Sequence, residues 1–427
     1  MIALLRVLWL LLAATPVANA AVLPPCSDGS VPRQLASLSF EGNQVTRRET
    51  FLRELNFSVG DVLCPSDIAG GEQDITDLGL FSDVDTATTT LERSRVAVTY
   101  IVKERWYILP IPRVDASTDE EFGLGMSLSW NNFLGLNHKI SLSGVRKELE
   151  ERTTDNETIF EGSYDWRRFM GSRTNLGFGV EYRNEAASVD DLTFDERVTS
   201  FGMIASRQLT RLQTGQGWNL SGGLSWRESR NLGDNAPPDE GVLTAVTGGI
   251  RYRDVHDKIY SFQGISYGAS VTSSVPGLSD YDQYVVSGGV TRYIPIGRRA
   301  HQNINLYAQA GSFHAGPRAR RNDNFELGGA DRLRGYEDEF TEGDAFWAVG
   351  AEYLRPLYWN AVRGLVILEA GDAMSTSFSE QNQPVLLSIG LGLRIRITWF
   401  VDAAVEVGVA WPLIRGDGLQ VFAGGAG

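Results

Sequence analysis

Few side chains in this sequence are placed to do chemistry. His138, His256, His301 and His314 show no metal-ligand spacing such as HExxH, and Cys26 and Cys64 cannot build a four-thiolate site. None of the histidines can be argued to serve a serine as its base, so no catalytic residue is named. There is no Walker loop and no cofactor motif, and neither metal nor cofactor is expected. What remains is one cationic tip, Leu333-Arg334-Gly335-Tyr336, which closes the stretch Leu327 to Tyr336. A guanidinium's planar fork holds a carboxylate or an aromatic face, and glycine permits a sharp backbone beside it. Such a group grips; it does not react.

The elements that position this tip follow from composition and pattern. With 42% hydrophobic and 22% charged residues, the 427-residue chain can bury a core. A net charge of −14 gives no footprint for a phosphate backbone, and nucleic-acid binding is not expected. Met1 to Ala20 carries Arg6, the apolar run Val7 to Ala14 and then Ala18-Asn19-Ala20, the pattern of a signal peptide cleaved after Ala20. The run is too short for a membrane anchor and is broken by Pro16. In an exported chain Cys26 and Cys64 can oxidise, closing a loop worth ~3–4 kcal/mol by chain entropy; two free thiols are the alternative.

After a segment spanning residues 21–34, residues 35–104 read as strand, helix, helix, strand, strand. Leu35 to Phe40 alternates and ends at Gly42-Asn43; Thr46 opens a helix with Glu49 in the manner of a capping box, and Phe51, Leu52 and Leu55 form its buried stripe. Ser66 caps a second helix, followed by Val84 to Thr90 and by Val96 to Val102, which alternates with period two. This order, with Gly42-Asn43, Gly60-Asp61 and Gly79-Leu80-Phe81-Ser82-Asp83-Val84 at these intervals, resembles a POTRA domain. The resemblance implies that unfolded polypeptide clients add as a strand at a sheet edge, for which Val84 to Thr90 is the candidate. A plain spacer is the alternative.

From residue 105 to 427 the pattern becomes repeated segments of 10 to 14 residues that alternate apolar with small or polar side chains, as transmembrane β-barrel strands do. Val385 to Trp399 and Val401 to Leu413 are the clearest, with Arg394 and Arg396 facing Asp402 and Glu406 inside. Trp218 and Trp226, about 26 Å apart along one strand, fall in opposite aromatic girdles. Counting segments gives a sixteen-stranded antiparallel barrel, with one connection out of scale, from His314 to Gly343.

That long connection contains the Arg334 tip. It resembles the loop signature of the superfamily of BamA, TamA and the two-partner secretion pores, the bacterial surface antigen family, in which a hydrophobic-Arg-Gly-aromatic tip folds into the lumen. The resemblance implies an acidic partner and a glycine two strands on, here Glu369 and Gly371 within Leu368-Glu369-Ala370-Gly371. Glu369 stands where an Asp is usual; two charges hydrated in a wet lumen are the alternative. The family's last strand normally ends in an aromatic assembly signal, for which Phe422 is the candidate, although five residues follow it. The resemblance further implies a bacterial outer-membrane location with the POTRA domain in the periplasm. Its partners would be membrane lipids, lipopolysaccharide and unfolded clients, with a monomeric barrel working alone or beside accessory proteins.

Pro110 and Pro112 lie two residues apart in the first barrel strand, so both missing N–H groups point the same way. If that side meets the Gly-rich last strand around Phe422, the first-to-last junction is the weakest seam; an irregular entry into the barrel is the other reading. The expected function is assembly or translocation of polypeptides, with the POTRA domain as dock and the seam as gate. A gated pore or structural surface barrel is the alternative, and no enzyme activity is expected.

Overall fold

The computed structural model describes residues 26–425 apart from 28, 93, 117–121, 149–156, 190–191, 212, 234–235, 237–239, 317, 319–324, 331 and 375–384. The expected leader, Met1 to Ala20, lies outside the described residues. A small first domain is built from β1 (Arg33–Glu41), α1 (Arg48–Leu52), β2 (Val62–Leu63), α2 (Pro65–Thr76), β3 (Phe81–Leu91) and β4 (Arg95–Glu104). Its sheet runs β2-β1-β4-β3, with β1 parallel to β4 and the other pairs antiparallel. Val96, Val98, Tyr100 and Val102 are buried at alternate positions of β4 and meet Leu35, Phe51, Ile75 and Phe81 in one core. Cys26 and Cys64 form a disulfide across 38 residues, which ties the segment ahead of β1 to the N-cap of α2.

Three local expectations for this domain need correction. Thr46 does not cap α1: its hydroxyl lies 3.0 Å from the Tyr107 hydroxyl and accepts the Asn132 amide, so a tertiary contact has taken the group the cap needed. The cap of α2 is Cys64, not Ser66; Pro65 occupies the first turn and the Asp67 carboxylate accepts the Cys64 N–H at 2.8 Å. Between the helices runs the two-residue strand β2, too short to leave a period. Gly71, which weakens α2 on propensity alone, is required by packing, because a Cβ there would collide with the Tyr100 hydroxyl.

Sixteen further strands form one antiparallel sheet. They are β5 (Ile108–Ala116), β6 (Phe122–Phe133), β7 (His138–Glu148), β8 (Glu157–Trp166), β9 (Thr174–Val189), β10 (Leu192–Gln208), β11 (Gly217–Leu232) and β12 (Gly241–Asp257), followed by β13 (Phe262–Ser274), β14 (Gln283–Pro295) and β15 (Asn303–Ala315). A hairpin of β16 (Phe325–Leu327) and β17 (Thr341–Gly343) stands apart inside the long connection. The sheet resumes with β18 (Ala345–Pro356), β19 (Val362–Met374), β20 (Leu386–Arg396), β21 (Ala404–Ile414) and β22 (Gln420–Gly425). Among the described residues no helix is long and apolar enough to cross a membrane; the spanning elements are strands.

Alternation sets the two faces. On β21, Val405, Val407, Trp411 and Leu413 are exposed outward while Glu406 and Ala410 are buried inward. Trp218 clusters with Tyr252 and Tyr267 at one end of the outer face, and Trp226 lies eight residues along the same face. The sheet begins at β5 and ends at β22, and among the described residues no ladder joins the two. The nearest tie is made by Trp106, which bonds Trp399 and Val401 in the turn after β20.

The first domain sits against the mouth of the barrel. Arg47 N–H and Thr50 Oγ1 donate to the Gly135 carbonyl at 3.0 and 2.8 Å, and Arg53 donates to Leu136. Glu54 accepts from Thr214 and faces Arg168, Asp74 accepts from Gln213, and Asp77 meets His256 and the Asp257 N–H at 2.7 Å each. Four turns, after β6, β8, β10 and β12, thus hold α1 and α2.

Candidate functional site

The long connection returns into the barrel. Its hairpin packs Leu327, Leu333 and Tyr336 against Phe346, Ala373 and Leu386 of the wall. Leu333 takes a positive φ of 59°, so the sharp backbone belongs to the leucine; Gly335 is needed for a different reason. A Cβ on Gly335 would stand 2.6 Å from Ser388 Cβ and 2.9 Å from the Trp411 backbone, so the tip lies directly on β20 and β21.

Arg334 is then delivered to a group of carboxylates. Its backbone N–H donates to Glu369 Oε2 at 2.7 Å, while Nε stands 3.7 Å from Glu369 Oε1. The closest partner of the guanidinium is Glu352 on β18, at 2.8 Å from Nη2, and Glu406 on β21 lies 3.3 Å from Nη1. Arg394 shares both, donating to Glu352 at 2.8 Å and to Glu406 Oε2 at 2.6 Å. Tyr307 donates to Glu369 Oε1 at 2.6 Å and Asn305 to Glu352 Oε2 at 3.0 Å. Two guanidiniums and three carboxylates therefore make one network. Glu369 is 1% exposed and the Arg334 side chain 10%, so these charges rely on each other and not on water.

Tyr336 makes a second anchor. Its hydroxyl accepts the Leu387 N–H at 2.8 Å and contacts the carbonyls of Leu387, at 2.9 Å, and Ile414. The β20/β21 register slips between Leu387 and Ser388, opposite Pro412, and the tyrosine fills the gap this bulge leaves in the ladder.

Gly371 lies opposite Ala348, where a Cβ would stand 2.8 Å from the Trp347 carbonyl; it serves strand approach and not the loop tip. Phe422 points into the lumen, 4% exposed among Leu354, Leu365, Ile367 and Ala410, with the Arg334 guanidinium 5.6 Å above its ring. The last strand is thereby linked to the loop network. Pro110 and Pro112 are exposed on β5, at one end of the sheet.

Arg396 departs from its expected partners. It pairs with Asp257 at 2.9 Å and lies over Phe262, while the exposed Asp402 sits in a turn 3.8 Å from Lys139. Register explains this, since Arg396 stands opposite Ala404 at the end of the ladder. Two serine contacts also differ from expectation: Ser312 lies 2.8 Å from His314 Nε2, and Ser261 lies 3.2 Å from His301. His314 stacks on Tyr284, and among the described residues no carboxylate orients it, so the pair lacks the third member of a nucleophilic triad. No group of three metal-binding side chains stands together among the described residues.

The sequence reading missed Glu352 and Tyr307. Their signal was inward-facing parity on strands whose other inward positions, such as Ala348 and Gly350, are small; a charge at such a position calls for a partner inside.

The lumen is not filled. A cavity of about 530 Å³ lies along a wall of Gly, Ser and Thr from β11 to β15, beneath Phe325 and Arg332. Another of about 520 Å³ lies between the α2–β3 corner, Asp77 to Leu80, and lumenal Arg251 and Arg253.

At the mouth, Asp74 is pushed up to about 6 by burial, against the opposing hydrogen bond from Gln213. Glu104 is half-buried, which works to raise it, but hydrogen bonds from Thr46, Val45 and Gln44 prevail and hold it below the usual carboxylate range.

Comparison with known proteins agrees with this architecture. Residues 34–105 match the POTRA family, described as a surface antigen variable number repeat, and residues 132–418 match the Omp85 superfamily domain. CdiB from Escherichia coli superposes with a TM-score of 0.64 at 17% identity, over 94% of this chain and 78% of that one. CdiB from Acinetobacter baumannii gives 0.61 at 14% identity, over 93% and 74%. BamA from Haemophilus ducreyi lacking POTRA domains 1-3 gives 0.54 at 17% identity, over 91% and 82%. At these identities the neighbours speak to the fold. The family match spans more than half of the sequence, and the chain, one POTRA domain followed by a sixteen-stranded barrel, belongs to the Omp85 superfamily.

Proposed function

We propose that this protein moves unfolded polypeptides into or across the outer membrane, with the POTRA domain as client dock and the junction of β5 and β22 as gate. The observation that carries the reading is the sheet that begins at β5 and ends at β22 with no ladder between them among the described residues. β22 is held to β21 along six residues, and β5 carries Pro110 and Pro112. Unpaired strand edges are templates for an incoming strand. The POTRA sheet has a second template. Its β2 edge is two residues long and lies beside the Cys26–Cys64 staple, whereas the β3 edge runs eleven residues and is exposed from Thr88 onward. Val84 to Thr90 is the docking strand in this reading, and client folding supplies the driving force without an enzymatic step. The chain acts as a single barrel among outer-membrane lipids and lipopolysaccharide.

The test is the rate at which urea-unfolded barrel proteins integrate into liposomes holding this protein, compared with a variant cross-linked between β5 and β22. Acceleration that disappears on cross-linking supports a gate at the seam. No acceleration of any client rejects insertion. The two lumenal cavities favour a gated pore as the second reading. Large single-channel conductance in the intact protein would select it.

A further inference from the structure

The rim of the periplasmic mouth is used unevenly. On the side that holds the POTRA domain, cations meet acids: Arg168 faces Glu54, Arg211 pairs with Asp254 at 2.8 Å, and His256 contacts Asp77. The arc from β14 to β19 has a different character. Its two turns, residues 296–302 and 357–361, make no hydrogen bond or ion pair with the POTRA domain among the described residues. From Gln283 to Asn303 and from Tyr353 to Leu368 the sequence contains no Asp or Glu. Within those stretches Arg292, Arg298, Arg299 and Arg355 are exposed, and none of them has a carboxylate partner among the described residues.

Position separates these arginines from an ordinary solvated patch. Arg292 continues the outward parity of Val286 and Val290 on β14, and Arg355 continues that of Val349 on β18, so both stand at the foot of the lipid-facing surface. Tyr358 is 87% exposed and Trp359 65%, their rings edge to face at 5.4 Å. Arg299 donates to the Leu357 carbonyl, which fastens the two turns to each other. Aromatic side chains of this kind settle at the boundary between head groups and acyl chains, and a guanidinium fork is matched to phosphate oxygens.

We propose that this arc is a binding site for anionic phospholipid of the periplasmic leaflet, with Arg292, Arg298, Arg299 and Arg355 taking the head-group phosphate and Tyr358 and Trp359 lying in the interface. Continuity with the lipid-facing strands favours a lipid over a soluble partner, and the missing carboxylates favour an anionic head group over a zwitterionic one.

The experiment uses the full chain in detergent, incubated with dioleoylphosphatidylglycerol or dioleoylphosphatidylcholine and read by native mass spectrometry. The intact protein should retain the anionic lipid preferentially. The R292Q/R298Q/R299Q/R355Q variant should lose at least about tenfold of that retention, since each surface cation adds to the attraction. W359A should weaken retention of both lipids. A control that removes four cations from the POTRA surface, R33Q/R47Q/R95Q/K103Q, should behave as the intact chain. Equal retention of the two lipids by the intact protein would overturn the proposal. So would unchanged retention in a quadruple variant that still shows heat-modifiable migration, an outcome that would leave the arc to a protein partner. If the quadruple variant misfolds, R298Q/R299Q, confined to an exposed turn, carries the same test.

Discussion

The lumen is obstructed at both ends, and by different means. Toward the outside, one loop tip enters a buried network in which Arg334 and Arg394 are shared among Glu352, Glu369 and Glu406. At the periplasmic end, the POTRA domain rests on four turns through contacts spread over several residues: Thr50, Asp74 and Asp77 each reach one turn, and Glu54 joins two. Shared charges are cooperative: removing one strands the others in a place with little water. Separate contacts are additive, and each can be lost alone. The loop is therefore built to be seated or unseated as a unit, and the POTRA interface to loosen by degrees.

Three changes would break or sharpen that contrast. Arg334→Ala should have the largest effect, about 3–5 kcal/mol, because three carboxylates would share the single cation Arg394. The loop should then become a target for protease added from outside, and the barrel should unfold at lower denaturant. Unchanged protection would mean that the network does not seat the loop; disruption by Glu369→Ala alone would assign the seat to Glu369 and not to the pair. Tyr336→Phe should come next, at about 1–3 kcal/mol, since the Leu387 N–H loses its acceptor in the bulge. Hydrogen exchange at Leu387 reads this directly, and no change there would remove the second anchor from the account.

Asp74 provides the smallest effect and addresses the other end. Its carboxyl titrates near 6 against an ordinary 3.8, so the docked form binds the proton more tightly. Docking should strengthen as pH falls from about 7 through 6 and level off below the ordinary value. The gain should be about 1–2 kcal/mol, allowing for partial exposure. Cross-linking between α2 and the turn at Gln213, measured from pH 7.5 to 5, checks the direction. Asp74→Asn should remove the Asp74 share of the rise and leave the part due to the His256–Asp77 contact, which protonation of the imidazole strengthens across the same interface; a profile that weakens on acidification would refute this proton linkage.

The sequence was most legible where physics repeats. The count of sixteen barrel strands matches the observed sheet, because a lipid-facing side and an inner side impose a period of two on each segment. Legibility failed where a residue's use is decided by a distant partner. Thr46 carries the pattern of a cap yet serves Tyr107 and Asn132, and Gly335 looks like a turn residue yet is required by the wall behind it. Glu352 was invisible as a partner of Arg334, because which inward charges meet depends on how far the loop reaches into the lumen. Arg394 and Glu406, by contrast, are register neighbours on adjacent strands and could be paired from sequence alone.

The disulfide between Cys26 and Cys64 also orders events in time. A bond of this kind persists only in an oxidising compartment, so the POTRA domain reaches its final form only after the chain has left the reducing cytosol. Before that the POTRA sheet lacks its staple, and its β2 side is less firmly held. Material produced in a reducing cytosol would therefore be a precursor at the β2 end of the POTRA sheet, even where every strand pairs correctly. Oxidation acts as a timestamp that marks the molecule as delivered.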